Sequence, residues 1–258
     1  MTHGEAREPR RALERLLSEA ESQRRVLDFW WRDDDAITPS PALDRLLALA
    51  HDHHVPLGLA VIPAPATQAL AGRLASETNV WVLQHGWRHQ QHNRPDEKKA
   101  ELGDQRSLPA ILEELRAGRK RLTTLFPEKF LPVLVPPWNR IGEAARGGRG
   151  EAGLPGLSAF GPAGSGDPHN VNTHLDVFAW KPARRPLSRA EAYKSLCKEV
   201  VRRLTGDSEP IGILSHHLVH EEENWGLLEE LLGLLAGNPA VRWQALPKLF
   251  GLATSLHP

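Results

Sequence analysis

The chain has 258 residues, and its 32 lysines and arginines are matched by 32 aspartates and glutamates, for a formal net charge of zero. That length suits a single large domain with an ample core. The charge balance argues against nucleic acid as the main partner, since such proteins carry a basic excess, and no apolar run reaches the roughly 20 residues of a membrane span. Residues 1–25 are charged and polar, without the apolar centre of a signal peptide, so the expected location is the cytoplasm. The one cysteine, Cys197, excludes an internal disulfide and a cysteine-built metal site.

Residues 10–23 place Leu13, Leu16, Leu17 and Ala20 at helical spacing. An apolar strand over 26–32 ends on Asp33, Asp34 and Asp35. Pro39 and Pro41 open a helix over 42–51, with Leu43, Leu46, Leu47 and Ala50 on one face. A strand over 57–62 stops at Pro63 and Pro65, and a helix spans 67–76. A third strand, 80–83, delivers Gln84 and His85 to a polar stretch that runs to residue 99. An amphipathic helix covers 108–126, with Pro109 in its tolerant first turn. The strand 131–135 runs into Pro136-Pro137-Trp138-Asn139. Glycine-rich residues 142–166 hold a short helix and a strand near 157–160. A strand over 171–178, a capped helix over 188–204 and a strand over 211–214 follow, the last leading into Ser215-His216-His217. The chain closes with a helix over 224–235 and a strand over 241–243.

Strands and helices alternate about eight times, the pattern of a parallel sheet with helical crossovers. A barrel accommodates this count better than an open sheet. No linker and no repeat divides residues 1–258, which read as one domain with an N-terminal helix in 1–25. In such folds the active groups sit at the carboxyl ends of strands. Asp33 to Asp35, His85, Trp138-Asn139, Asp176 and His216 all fall there.

Three carboxylates in a row repel one another and are costly to bury unless they meet a cation. His85 and His89, four residues apart, can lie on one face of a helical turn and grip one metal ion. An added aspartate makes a set of two imidazoles and a carboxylate, with positions left for water and substrate. A water on such an ion is acidic enough to attack a carbonyl at neutral pH. A second carboxylate can take its proton, and a histidine opposite can protonate a leaving amine; the Asp33 to Asp35 cluster and His216 fill those roles. His51-Asp52-His53-His54 ends a helix on the opposite rim, where histidine suits the helix dipole, and reads as structural. His92 is either an outer support of the metal site or solvated. His217 and His220 are alternatives to His216. Trp30, Trp31, Trp81 and Trp243 read as core, whereas Trp87, Trp138 and Trp180 stand beside the motifs and can stack on a sugar.

Together these motifs resemble the polysaccharide deacetylases with the NodB homology domain, carbohydrate esterase family 4. Trp31-Arg32-Asp33-Asp34-Asp35 resembles the family's Thr-Phe-Asp-Asp-Gly, and His85-Gly86-Trp87-Arg88-His89 its His-x-x-x-His. Leu134-Val135-Pro136-Pro137-Trp138 is similar to Arg-Pro-Pro-Tyr/Trp, Asp176-Val177-Phe178-Ala179-Trp180 to Asp-x-x-Asp-Trp, and Leu214-Ser215-His216 to Leu-x-His. The resemblance implies a distorted (β/α)7-8 barrel and a metal-dependent hydrolase that removes acetyl groups from N- or O-acetylated carbohydrates. It implies Asp33 as base, His216 as acid, and Asp34, His85 and His89 as ligands of one divalent ion, zinc in the first instance. Pro137, Trp138, Asn139, Asp176 and Trp180 would line the substrate site, and the substrate would be a small or soluble carbohydrate or amide. Asp35 stands where the family has glycine, so the pair of base and ligand is Asp33 and Asp34 or Asp34 and Asp35. The first register leaves the shorter gap to the following helix. Val135 replaces the arginine that orients the base, which leaves Arg32 or Arg140 to substitute, and Ala179 replaces the second aspartate of its motif. The alternatives are an amidohydrolase of non-sugar amides or ureides, and a ligand-binding protein with a degraded site on the same fold.

Overall fold

The structure, a computed structural model, describes residues 6–164 and 166–252. The first five residues of the expected N-terminal segment thus lie outside it. The elements are α1 (Arg7–Ser22), β1 (Leu27–Ala36), α2 (Pro41–Asp52), β2 (Leu57–Val61), α3 (Gln68–Leu74) and β3 (Val80–His85). There follow α4 (Leu108–Leu125), β4 (Phe130–Val135), α5 (Glu143–Gly148) and β5 (Gly156–Leu157). The short strands β6 (Leu175–Asp176), β7 (Phe178–Ala179) and β8 (Arg185–Pro186) precede α6 (Arg189–Leu204). The chain ends with β9 (Ile211–Ser215), α7 (Glu222–Ala236), β10 (Val241–Trp243) and α8 (Leu246–Leu249). The helix starts follow local chemistry. Ser40 accepts from the Leu43 amide and Pro41 stands in the first turn, Thr67 caps α3, and Ser188 with Glu191 forms a capping box on α6. No described helix is long and apolar enough to cross a membrane.

The main sheet has the order β5-β4-β3-β2-β1-β9-β6, with every pairing parallel, and β10 pairs with the first residues of β1. Isolated parallel bridges, Leu157 to Asn170 and Phe160 to Thr173, join the β5 edge to the segment that enters β6, so the sheet curls into a distorted barrel. Helices cover its outside over a large apolar core. A smaller core, with Trp30, Ala60, Leu83, Val133 and Val135, fills the inside and is packed against Leu246 and Phe250 at α8.

Two expectations change here. The strand expected over 171–178 is interrupted, because the Asp176 carboxylate accepts from the Phe178 amide at 2.9 Å and turns the backbone out of the sheet. β7 then pairs with β8 in a separate antiparallel hairpin. The first strand does not end at the carboxylates but runs through all three to Ala36.

That second change decides the site. Along β1, successive side chains alternate between faces. Phe29 and Trp31 pack outward under the helices, and Trp30 packs into the barrel. Asp33 shares the outward face, whereas Arg32 and Asp34 point inward. Asp33 is fully buried, and its oxygens accept from Ser215 Oγ at 2.6 Å, the His217 amide at 3.0 Å and the His217 ring at 2.5 Å. Trp31 Nε1 donates to the same Ser215 hydroxyl at 2.9 Å. Burial opposes the Asp33 charge, but the His217 ring more than offsets it and holds the carboxyl below its ordinary range. Asp33 in turn raises His217 against the same burial. This clip ties β1 to the end of β9. Removing one partner of a buried pair strands the other, at a cost of about 3–5 kcal/mol. Asp33→Ala is therefore expected to lower the unfolding free energy by about that amount, read from urea unfolding; a change near zero would show that Asp33 does not tie the strands together.

Candidate active site

The outer rim is assembled by the carboxyl ends of β1, β3, β4 and β9 and by the segment around β6. At the end of β1 the register against β2 shifts between Asp33 and Ala36, and Asp35 adopts φ 77°. This bulge breaks the alternation, so the carboxylates of Asp34 and Asp35 both turn to the rim although they are neighbours. Asp35 Oδ1 lies 3.1 Å from His85 Nε2 and 3.4 Å from His89 Nε2. One ligand atom from each of these three residues lies within 4.8 Å of the others. His85 Nδ1 donates to the Val135 carbonyl at 3.0 Å, which leaves Nε2 free as a ligand. Burial raises the Asp35 carboxyl, but the hydrogen bond and charge of His85, with His216 and His89, outweigh it and hold the group well below the ordinary range. Burial pulls His89 down, whereas Asp35, with Asp34, raises His85 against its own burial. The set fits a divalent cation: two imidazole nitrogens and a carboxylate oxygen converge, with no lysine or arginine within salt-bridge distance of Asp35 among the described residues.

The expected ligand Asp34 is engaged elsewhere. Arg32 Nε donates to its Oδ1 at 2.8 Å and Arg32 Nη2 to its Oδ2 at 3.0 Å. The guanidinium is itself fully buried and saturated by the Ser158 hydroxyl and carbonyl, the Ala159 carbonyl and Asn139 Oδ1. The fork fixes both oxygens of Asp34, as bidentate pairs do. Of the two arginines expected to substitute at Val135, Arg32 is the one that contacts an aspartate of the cluster. Arg140 does not, since it donates to the Lys99 carbonyl instead. The opening motif is therefore read one residue too early when Asp33 and Asp34 are taken as base and ligand. Asp33 faces away from the rim, Asp34 lies at the rim paired with Arg32 and 4.0 Å from His216, and Asp35 joins the histidines.

His216 lies across from Asp34, with Nε2 4.0 Å from Asp34 Oδ2 and Nδ1 3.7 Å from Asp176 Oδ1. Its ring meets Trp180 edge-on at 4.9 Å, and Trp180 Nε1 donates to the other Asp176 oxygen at 2.8 Å. Burial works against a charged ring here, yet Asp176 first, then Asp34 and Asp35, push His216 up to about 9. Asp176 therefore faces the His216 ring as well as lining the site. His217, the alternative, points into the core against Asp33. His220 Nε2 accepts from the His216 amide at 3.3 Å and its ring packs on Trp225.

Pro137, Trp138 and Asn139 also reach the rim. Trp138 and Asn139 are successive residues with φ 56°. The turn they make sets the Trp138 ring 4.3 Å from His89 and sends the Asn139 amide oxygen to Arg32. His92 is exposed, its amide donates to the Ala100 carbonyl, and it is not one of the three residues whose ligand atoms converge. His85 and His89 do not share a helical turn. His85 ends β3, and a loop with positive φ at Gly86 and His89 brings the second ring round to 5.1 Å from the first. Two further residues, Ser158 under Arg32 and Glu101 under that loop, carry no motif that marks them in the sequence.

No family model matches the chain, and no curated protein is similar to it in sequence. Solved structures are. A family 4 carbohydrate esterase from Streptomyces lividans in complex with acetate is 14% identical, with 83% of this chain and 89% of that one covered and a TM-score of 0.54. A peptidoglycan deacetylase from Bacillus subtilis is 14% identical over 87% of this chain and 90% of its own, with a TM-score of 0.54. A mutant of a family 4 pseudoenzyme with restored enzymatic activity is 13% identical, covering 87% and 68%, at 0.59. The fold of the chain is that of the carbohydrate esterase family 4 deacetylases.

Proposed function

We propose that the chain is a metal-dependent hydrolase that removes an acetyl group from an N- or O-acetylated carbohydrate. The observation that carries this reading is the rim itself: Asp35, His85 and His89 converge on one point, with Asp34 and His216 facing each other beside it at 4.0 Å. The likeness of the fold to deacetylases of carbohydrate and peptidoglycan supports it. A divalent cation, zinc in the first instance, would be held by Asp35, His85 and His89 and supplies the Lewis acidity that polarises a carbonyl and acidifies water. Asp34, aligned by Arg32, takes a proton from the attacking water. His216, kept protonated at neutral pH by Asp176, gives one to the departing group. Trp138 and Trp180 stand against His89 and His216, on either side of the reacting position, where an acetyl group or sugar face can pack.

A second reading is a binding protein with a degraded site, favoured by Val135 and Ala179 in place of the motif arginine and aspartate. The Arg32 fork on Asp34, a substitute for the missing arginine, and the retained Asp176 facing His216 weigh against it. An amidohydrolase of non-sugar amides would use the same groups, and a screen of acetylated sugars against amides and ureides separates the two.

Zinc titrated into metal-free protein should bind at one equivalent. His85→Ala and Asp35→Ala should abolish stoichiometric binding, and Asp34→Asn should keep it. Loss in Asp34→Asn with retention in Asp35→Ala would return the register to Asp33 and Asp34. Affinity should fall as pH falls, because protons compete for both imidazoles.

Asp34→Asn and His216→Ala should each lower kcat about 10²–10⁴-fold without removing the metal. An acid must be protonated, so kcat/KM should decline as pH rises through the His216 titration. That decline should centre below about 9, since a bound cation lowers the ring's proton affinity. Asp176→Asn removes the main influence that raises His216, and the alkaline limb should move to lower pH. An unmoved limb would disconnect Asp176 from the acid.

A further inference from the structure

The loop that carries His89 has no helical or sheet hydrogen bonding of its own across residues 87–90, and its backbone donors are partly buried beside the site. Backbone N–H groups in such a position need acceptors. One side chain supplies them. Glu101, 1% exposed, accepts from the Trp87 amide at 3.0 Å on Oε2, and from the Arg88 amide at 2.8 Å and the Gln90 amide at 3.3 Å on Oε1. We propose that Glu101 is the positioning residue of the metal site, holding the His85–His89 loop in its ligating shape. This inference rests on the metal-dependent reading of the rim.

The carboxylate has no cationic side chain bonded to it among the described residues. Arg106 reaches only the Glu101 carbonyl, at 3.4 Å, with the same Nη1 that donates to Glu114 Oε2 at 2.7 Å. Three backbone donors therefore stabilise a buried charge, an arrangement that a carboxylate with two acceptor oxygens accepts and a neutral side chain matches poorly. Glu101 is itself anchored. Leu102 bridges to Ile141 in parallel, and the Gly142 amide donates to the Leu102 carbonyl at 2.8 Å. The fit against the loop is tight enough to dictate its sequence. Gly86 has φ 55°, and a Cβ there would lie 2.0 Å from Glu101 Oε2 and 2.6 Å from Pro137 Cγ. The loop is held from the other side by the Gly86 amide to the Val135 carbonyl and by the Ala64 amide to the Trp87 carbonyl. His89 at φ 57° then follows directly on the bonded Trp87 and Arg88 and places Nε2 3.4 Å from Asp35. Glu101 thus acts on the metal site through loop geometry, without being a ligand.

The test uses the full chain, stripped of metal and titrated with zinc by calorimetry, as wild type, Glu101→Ala and Glu101→Gln. Amide hydrogen exchange at residues 87, 88 and 90 is followed in the metal-free state. Supporting contacts around metal ligands are typically worth about 10–100-fold in affinity, so Glu101→Ala should weaken zinc by at least about tenfold. Glu101→Gln, which keeps one acceptor oxygen, should fall between. The three amides should lose protection in the same order, while cooperative unfolding is retained. Folded variants that bind zinc within about twofold of wild type would overturn the inference, since that lies below the range for supporting contacts. If Glu101→Ala fails to fold, Glu101→Gln alone decides by the same criterion. A wild type that binds no zinc overturns the metal reading instead, and amide protection that is unchanged in the variants overturns the role of Glu101 in holding the loop.

Discussion

Three carboxylates in succession on one strand set the charge problem to which the rest of the rim responds. Each has a different answer. Asp33 turns outward and is met by the His217 ring, the Ser215 hydroxyl and a backbone amide. Asp34 turns inward and is met by the Arg32 fork. Asp35, released from the pleat by its positive φ, meets two imidazoles. Like charges this close destabilise one another unless each is separately compensated. The separation of partners gives each of the three successive carboxylates its own compensation on one strand.

The arginine shows how a lost motif residue can be replaced from elsewhere in the barrel. A guanidinium at the end of β4 would have to reach Asp34 from beyond β3 and β2. Arg32 comes instead from Asp34's own strand, two residues away on the same face, where the spacing of a strand places side chains side by side. The exchange has a structural requirement. A fully buried guanidinium needs its remaining donors satisfied, and the Ser158 and Ala159 carbonyls, the Ser158 hydroxyl and Asn139 supply that. The left-handed turn at Trp138 and Asn139 brings the last of these acceptors in, and strain of this kind persists only where surrounding contacts hold it.

Much of the architecture was legible in the amino-acid pattern, because apolar runs ending in polar clusters mark the strands of a parallel barrel. β2, β3, β4 and β9 begin and end within two residues of where their apolar runs predict. The shortfalls have identifiable causes. The register of Asp33, Asp34 and Asp35 depends on alternation continuing past Arg32 and then failing at Asp35, and a bulge at a non-glycine residue leaves no mark in the sequence. The strand over 171–178 looked continuous because the pattern cannot show Asp176 capturing the Phe178 amide. The His85–His89 pair suggested a helical turn from spacing alone, and the loop that replaces it is bonded to Glu101, which lies beyond the polar stretch and before the next expected helix, where no motif marks it.

The same comparison explains why His216 and His217, adjacent and chemically identical, take opposite roles. The end of β9 sends one to each side of the sheet, as alternation requires. His217 finds Asp33 in the outward core and His216 finds Asp34 and Asp176 at the rim. β1 repeats the division in mirror fashion, with Asp33 outward and Asp34 inward. The two strands are neighbours in register, Asp33 opposite Ser215, so the outward pair closes into a structural clip and the inward pair stands open to the rim. In the proposed reaction the open pair is the one that exchanges protons. Holding Asp34 and His216 at a fixed separation then falls to the clip behind them, through the backbone of two adjacent strands.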